Sequence, residues 1–292
     1  MTVSAVPADL VRTRLKGIGY MCLAMVFWAV VESMARYLSR PYSSYQVVWT
    51  RYTTHLIFML IVFGPRYRKR LVATPRFGWQ IGRALMMLGM PACFVLAAGR
   101  MPHNAVMAVF LIAPLVIMVL AAPWLHERVG GAYWLFTLVA FGGMLVLLQP
   151  TGLTLTGTLL AFGMALCFAL YLLLSRRLRN ESIVTGLFYT ALGVWAPLSV
   201  GLPFFWRTPT LPDLAIMAAI GLLGLGALYT LDRAVELMPA MRAAPFIYLL
   251  PILLMAGGVL AGVMPGALLG SAIILGSGLV FVLLNTRETE KA

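Results

Sequence analysis

The stretch MPAMRAAPFIYLLPILLMAGG (Met238–Gly258) decides the fold. It is an apolar run carrying two prolines twelve residues apart, Pro239 and Pro251, the first behind a methionine. The first half of the chain holds the same pattern in MPHNAVMAVFLIAP (Met101–Pro114), 137 positions earlier. Apolar chains match one another at Leu, Val and Ala by chance, but paired prolines in one register are a stronger signal of repetition. Working outward, an offset of 140 lays Gly17 on Gly157, Trp28 on Phe168, and FWAVVESMARYL (27–38) over CFALYLLLSRRL (167–178). Near the end an offset of 136 lays Gly142 on Gly278 and VLLQ (146–149) on VLLN (282–285). The chain reads as two repeats, 1–152 and 153–292.

Composition says what solvent the repeats occupy. Hydrophobic residues are 62% of the chain and charged residues 11%. A soluble domain carries roughly 25% charged residues, so a bilayer is the medium that accepts this surface. Ten apolar runs lie at about 16–38, 44–64, 75–99, 102–124, 129–149, 155–178, 183–206, 211–236, 239–262 and 266–286. Each is close to the roughly 20 residues that a spanning helix needs, and too long and uniformly apolar for barrel strands. The fold class is therefore all-α integral membrane, with ten transmembrane helices. Five spans per repeat is an odd number, so the second repeat enters the membrane inverted, with a site near the midplane between the halves.

The net charge of +13 would suggest nucleic acid in a soluble protein. Here the basic residues cluster between apolar runs. With the N-terminus in the cytoplasm, sixteen of the 22 Lys and Arg fall on inside segments and four (Arg36, Arg40, Arg100, Arg207) on outside ones. Both termini are expected to be cytoplasmic. The apolar stretch Gly17–Val31 is read as the first helix rather than a cleaved leader, because the repeat uses it.

These residues resemble the drug/metabolite transporter superfamily, EamA type. The likeness spans both halves: Pro114 followed by HERVGG (126–131) in the first, and Met238–Gly258 in the second. Val263-Met264-Pro265 stands where the family often has a second glutamate, which removes that group from the second half. The resemblance implies a ten-helix basket in the inner membrane of a bacterium, moving small metabolites by alternating access. Amino-acid exporters are among the members it looks most like.

Candidate functional residues follow. Glu32 is the acid well inside the first half's spans, and an intramembrane carboxylate is a candidate for a substrate ammonium or a proton. Its rival role is an ion pair with Arg36, four residues on. Trp28, Tyr171, Tyr229 and Tyr248 lie deep in spans that the family likeness places around the cavity. Asn104, beside His103 at the outer mouth of the fourth helix, completes the substrate-binding set. Pro114 and Pro251 fall in mid-span and are candidate hinges, since proline removes a helix hydrogen bond. Arg100 and His103 outside, and Asp232, Arg233, Glu236 and Arg242 inside, are candidate gates; the last four read as one mixed-charge cluster. Trp49, Tyr52, Trp124, Trp134 and Trp206 read as interface anchors. Gly258 and Gly262 read as a close-packing pair.

The expected function is a secondary transporter exporting a small organic metabolite, an amino acid first, with protons as the candidate coupling ion. Cationic drugs and sugar- or nucleotide-type metabolites are the alternative substrates. No Walker motif, zinc motif, nucleophile elbow or filter sequence is present, so no cofactor, metal, enzymatic reaction or channel is expected. Cys22, Cys93 and Cys167 are an odd number inside apolar runs and imply no disulfides. The chain is expected as a monomer or weak homodimer.

Overall fold

A computed structural model describes residues 8–260 of the chain. All regular structure in that range is helical: α1 Ala8–Leu38, α2 Ser44–Val62, α3 Gly64–Tyr67, α4 Phe77–Ala98, α5 His103–Phe110, α6 Ala113–Leu125, α7 Gly131–Leu148, α8 Leu155–Arg177, α9 Ile183–Phe205, α10 Leu211–Leu237, α11 Ala240–Ala243 and α12 Leu249–Leu260. Two short 3-10 turns, Arg68–Leu71 and Ala244–Tyr248, complete it. Among the described residues, seven helical stretches are long and apolar enough to cross a membrane, with α5 and α6 (His103–Leu125) counted as one. The count is eight if α2 and the piece bent 49° after it form one span. The expected tenth span, 266–286, and the Gly258–Gly262 pair lie outside what is described.

Local chemistry sets the helix ends. Ser43, Thr154, Ser182 and Thr210 each accept an N–H bond from the first turn of α2, α8, α9 and α10, satisfying a donor that the helix cannot. His126 and Gln149 take left-handed backbone at φ 54° and 43° and stop α6 and α7. Pro102 and Pro239 stand at the N-caps of α5 and α11, each with extended ψ.

Both proline-bearing segments break. α5 gives way to α6 at Leu111–Ile112, just before Pro114 in the first turn of α6. α11 passes through the 3-10 turn Ala244–Tyr248 into α12, with Pro251 in its first turn. Each break thus lies ahead of the proline, where the missing N–H leaves a carbonyl of the preceding turn without its helical donor.

The helices pack in corresponding pairs. α1 lies along α10 and α4 along α8; α2 packs on α10 and α4 on α9; α2 and α9 meet each other. Gly17 seats Met238, whose side chain would lie 3.3 Å from an added Cβ. Gly157 seats Met101, at 3.0 Å. These are the glycines and methionines that the offsets of 140 and 137 superimpose. The outward flanks are apolar: Phe204 is 85% and Leu211 83% exposed, a surface suited to lipid.

Hydrogen bonds gather the connections into two faces. Tyr42–Asp213, Gln46–Arg207, Arg36–His103 and Asn104–Leu148 tie together one end of the bundle, called the upper face. Thr74–Glu181, Thr185–Arg70, Arg176–Glu127 and Arg176–Glu236 tie together the other, the lower face.

Candidate functional site

A cavity of about 350 Å³ lies among α1, α2, α4, α5 and α10. Its mouth is at the upper face, bordered by exposed Arg36, Ser39, Val95 and Ala98. Its deep end is closed by buried Met164, Leu228, Leu231 and Leu250. One wall is soft and apolar, built from Met87, Met90, Phe94, Met107 and Phe110. Trp28 lies edge-on to Phe168 at 5.2 Å, and Phe110 stands 5.7 Å from the same ring. Such a wall adapts to an apolar or aromatic body.

Three charged side chains and one imidazole line this cavity, Glu32, Arg36, Arg51 and His103, together with the hydroxyl-bearing Ser39, Ser44 and Tyr52. Glu32 makes no hydrogen bond or ion pair among the described residues, and Arg36 and Arg51 are the charges that act on it. The i,i+4 pair with Arg36 does not form. Arg36 turns to His103 instead, with its Nη2 donating to Nε2 at 2.9 Å, which requires the His103 proton on Nδ1. His103 is held from below by Phe94, ring to ring at 5.6 Å.

Arg51 lies with its guanidinium 5.4 Å over the ring of Tyr52 and makes no hydrogen bond among the described residues. Gly224 makes room for it: a Cβ there would come within 2.5 Å of Nε. The cavity therefore presents an unpaired carboxylate and an unpaired guanidinium beside an aromatic and thioether wall. Both groups are half-buried and act on each other without touching, so each remains able to take a charged group of a guest.

Of the expected substrate-binding residues, Trp28 and Glu32 line the cavity. Asn104 is turned away, donating to the carbonyls of Leu148 and Gln149 at the end of α7. Tyr229 is 37% exposed and Tyr248 is buried outside the lining, its hydroxyl without a partner among the described residues. Tyr171 is buried below the cavity, its hydroxyl 3.4 Å from Asp232. Of the expected gate residues, His103 lines the mouth, while Arg100 is exposed and bonds the carbonyl of Leu96.

The four lower-face residues are not one cluster. Asp232 points inward to Arg83, 3.2 Å away, with Ser175 and Thr190 also bonded to that guanidinium. Arg233 pairs with Glu236 at 2.6 Å, and Arg242 lies over the ring of Tyr133. The lower face is closed by a different pair: Arg176 bonds Glu127 at 3.0 Å and caps the carbonyls of Val235 and Glu236. Glu127 in turn accepts from the N–H of Met241.

Tyr52, expected at the interface, is 2% exposed and lines the cavity. It stands four residues after Val48, which lines the same cavity, and this helical spacing rather than its distance from the span end decides its face. Arg51 lines the cavity and Arg83 holds the buried pair with Asp232, and the sequence reading assigned neither a role. An arginine inside an apolar run is itself the signal that finds them. Among the described residues no group of His, Cys, Asp or Glu could hold a metal.

Helices with lipid-suited flanks, enclosing a charged cavity that reaches one face and is latched at the other, define a membrane carrier of small solutes. The EamA-like transporter family matches residues 15–149. A riboflavin transporter of Rhizobium johnstonii is 31% identical over 71% of this chain and 70% of its own. The chain belongs to the EamA-like transporter family, in the drug/metabolite transporter superfamily, and is a transporter rather than an enzyme. An S-adenosylmethionine uptake transporter of Rickettsia bellii is 28% identical over 82% of this chain and 83% of its own. A riboflavin transporter of Vibrio cholerae is 27% identical over 95% of each. A solved crystal structure, 22% identical, superimposes with a TM-score of 0.78 over 94% of this chain and 98% of its own, and shares the fold.

Proposed function

We propose that this chain is a ten-helix secondary transporter for zwitterionic, amino-acid-type metabolites, built as two inverted repeats, 1–152 and 153–292. The carrying observation is that Glu32 and Arg51, neither hydrogen-bonded among the described residues, line one cavity. The carboxylate suits a substrate ammonium and the guanidinium a substrate carboxylate. The Met and aromatic wall suits the side chain or base attached to them. A cavity of about 350 Å³ leaves room beyond a free amino acid. The relatives named for S-adenosylmethionine uptake carry a substrate of this class, which favours S-adenosylmethionine as the first ligand and import as the direction. Export, which the sequence likeness implied, is the other direction of the same cycle.

The corresponding helix packings, the Gly17–Met238 and Gly157–Met101 contacts, and a family match ending just before residue 152 support the two-repeat reading. Alternating access would then exchange the latched lower face for a latched upper face, with the breaks before Pro114 and Pro251 as hinges. The Lys and Arg distribution favours a bacterial inner membrane placement with the upper face outside. Proton coupling through Glu32 belongs to the same reading.

A second reading, a neutral flat-ringed substrate, draws support from the Trp28–Phe168–Phe110 aromatic group and from the riboflavin-transporting relatives. Uptake into proteoliposomes separates the two. Radiolabelled S-adenosylmethionine, L-methionine and riboflavin are offered with and without a pH gradient. Saturable uptake of the first two supports the zwitterion reading; uptake of riboflavin alone overturns it.

A further inference from the structure

Below the cavity floor lies a second polar set. Asp232 follows Leu231, which closes the cavity, and pairs with Arg83 from α4. One turn earlier on α4 stands Gln80, 1% exposed, with neither amide atom hydrogen-bonded among the described residues. The Nε of Arg83 is also without a partner. Both residues border a void of about 10 Å³, shared with Ser175, Gly186 and Asp232. That is room for no more than one water. Gly186 gives Arg83 its seat, since a Cβ there would fall 2.6 Å from Nη2.

A buried amide without partners is a cost that folding alone does not explain. Its neighbours supply the explanation: a guanidinium, a carboxylate and an amide repeat at the lower end the charge set that Arg51 and Glu32 present at the upper end. We infer that Gln80, Arg83 and Asp232 form a second substrate station, occupied when the lower face opens. This rests on the zwitterion reading. The substrate carboxylate pairs with Arg83, its ammonium with Asp232, and Gln80 takes a hydrogen bond from or to the same head group. In the present conformation Arg83 and Asp232 satisfy each other, which closes the station. Exchanging one internal pair for two pairs with substrate leaves no buried charge uncompensated, so the station can fill and empty without stranding an ion.

Gln80→Met tests this, because it keeps the volume and removes the amide. Full-length protein is oriented in liposomes, and KM for S-adenosylmethionine and L-methionine is measured from each face, with the apparent Tm alongside. The expected result is a Tm unchanged or raised, an unchanged KM from the upper face, and a KM from the lower face raised about tenfold. Ser175→Ala, which removes hydroxyl bonds to Arg83, Asp232 and Tyr171 but leaves both charges in place, is expected to lower Tm without separating the two faces. Equal KM values from both faces in Gln80→Met, or a lowered Tm, overturn the station while leaving the cavity reading intact. Failure of the wild type to carry either zwitterion overturns both.

Discussion

Arg83 and Asp232 stand 3.2 Å apart with side chains only 4% and 3% exposed. Breaking such a pair from one side leaves the other charge buried and alone, which costs about 3–5 kcal/mol. Asp232→Asn is therefore expected to lower the apparent Tm sharply. Arg233 and Glu236 are closer still, at 2.6 Å, but 37% and 30% exposed, where solvent screens the pair and its worth is about 1 kcal/mol or less. Glu236→Gln should hardly move Tm. Thermal unfolding in detergent, followed by intrinsic fluorescence, checks the contrast; similar losses for both variants would contradict it.

The lower-face latch makes a different prediction. Arg176 reaches Glu127 at 3.0 Å and two carbonyls of α10 at 2.8 and 2.9 Å. Hydrogen bonds to charged groups are worth about 1.5–3 kcal/mol each, so Arg176→Ala should shift the molecule toward a lower-face-open form. Met238 is 2% exposed behind this latch. A cysteine placed there, with Cys22, Cys93 and Cys167 replaced, should react with a soluble thiol reagent about tenfold faster or more in Arg176→Ala. Arg36→Ala, at the other face, should leave that rate unchanged. No acceleration in Arg176→Ala would show that the latch does not hold the face shut.

Two glycines of α10 separate fold from function. At Gly221 an added Cβ would lie 2.5 Å from the Cβ of Thr54 and 2.8 Å from the carbonyl oxygen of Arg51. Backbone cannot retreat cheaply, so Gly221→Ala is expected to push α2 and α10 apart and lower Tm. At Gly224 the nearest atom is the end of the Arg51 side chain, which can swing aside. Gly224→Ala should keep Tm nearly constant and raise KM, because it displaces the guanidinium from the cavity. Paired Tm and uptake measurements decide the matter; the reverse pattern would place Arg51 outside substrate recognition.

Much of the fold was legible because a bilayer simplifies the grammar. Among the described residues, the expected apolar runs fall on helices, although α1 starts eight residues earlier than its run, and Gly17–Met238 and Gly157–Met101 join residues that the overlay had singled out. The site was legible only in part. Glu32 and Trp28 were found by asking which polar or aromatic group lies deep in a span. The same question asked of basic residues leads to Arg51 and Arg83, which lie within or near spans. Tyr171 and Asp232 were marked, but sequence could not say that they face each other beneath the cavity. Facing is a tertiary property: α8 and α10 are distant in the chain, and nothing in either helix alone specifies the rotation that points Tyr171 at Asp232.

Recognition by two opposite charges can be read by deleting groups from both partners. If Glu32 holds the substrate ammonium and Arg51 its carboxylate, each contact is a charge-assisted hydrogen bond worth about 1.5–3 kcal/mol, or about 10- to 150-fold in affinity. The wild type should then bind a decarboxylated analogue of methionine, and separately a deaminated one, more weakly than L-methionine by factors in that range. In Arg51→Met the penalty for losing the carboxylate should vanish, while the penalty for losing the ammonium remains. In Glu32→Gln the pattern should reverse. Equilibrium binding by scintillation proximity on purified protein yields all six comparisons, and the coupling between residue and ligand group isolates each contact from general damage to the cavity. Penalties that persist unchanged in both variants would assign the charges of the cavity to something other than the zwitterion. A carboxylate penalty that persists in Arg51→Met but vanishes in Arg36→Met would move the carboxylate site to Arg36, the guanidinium that His103 now holds 2.9 Å away.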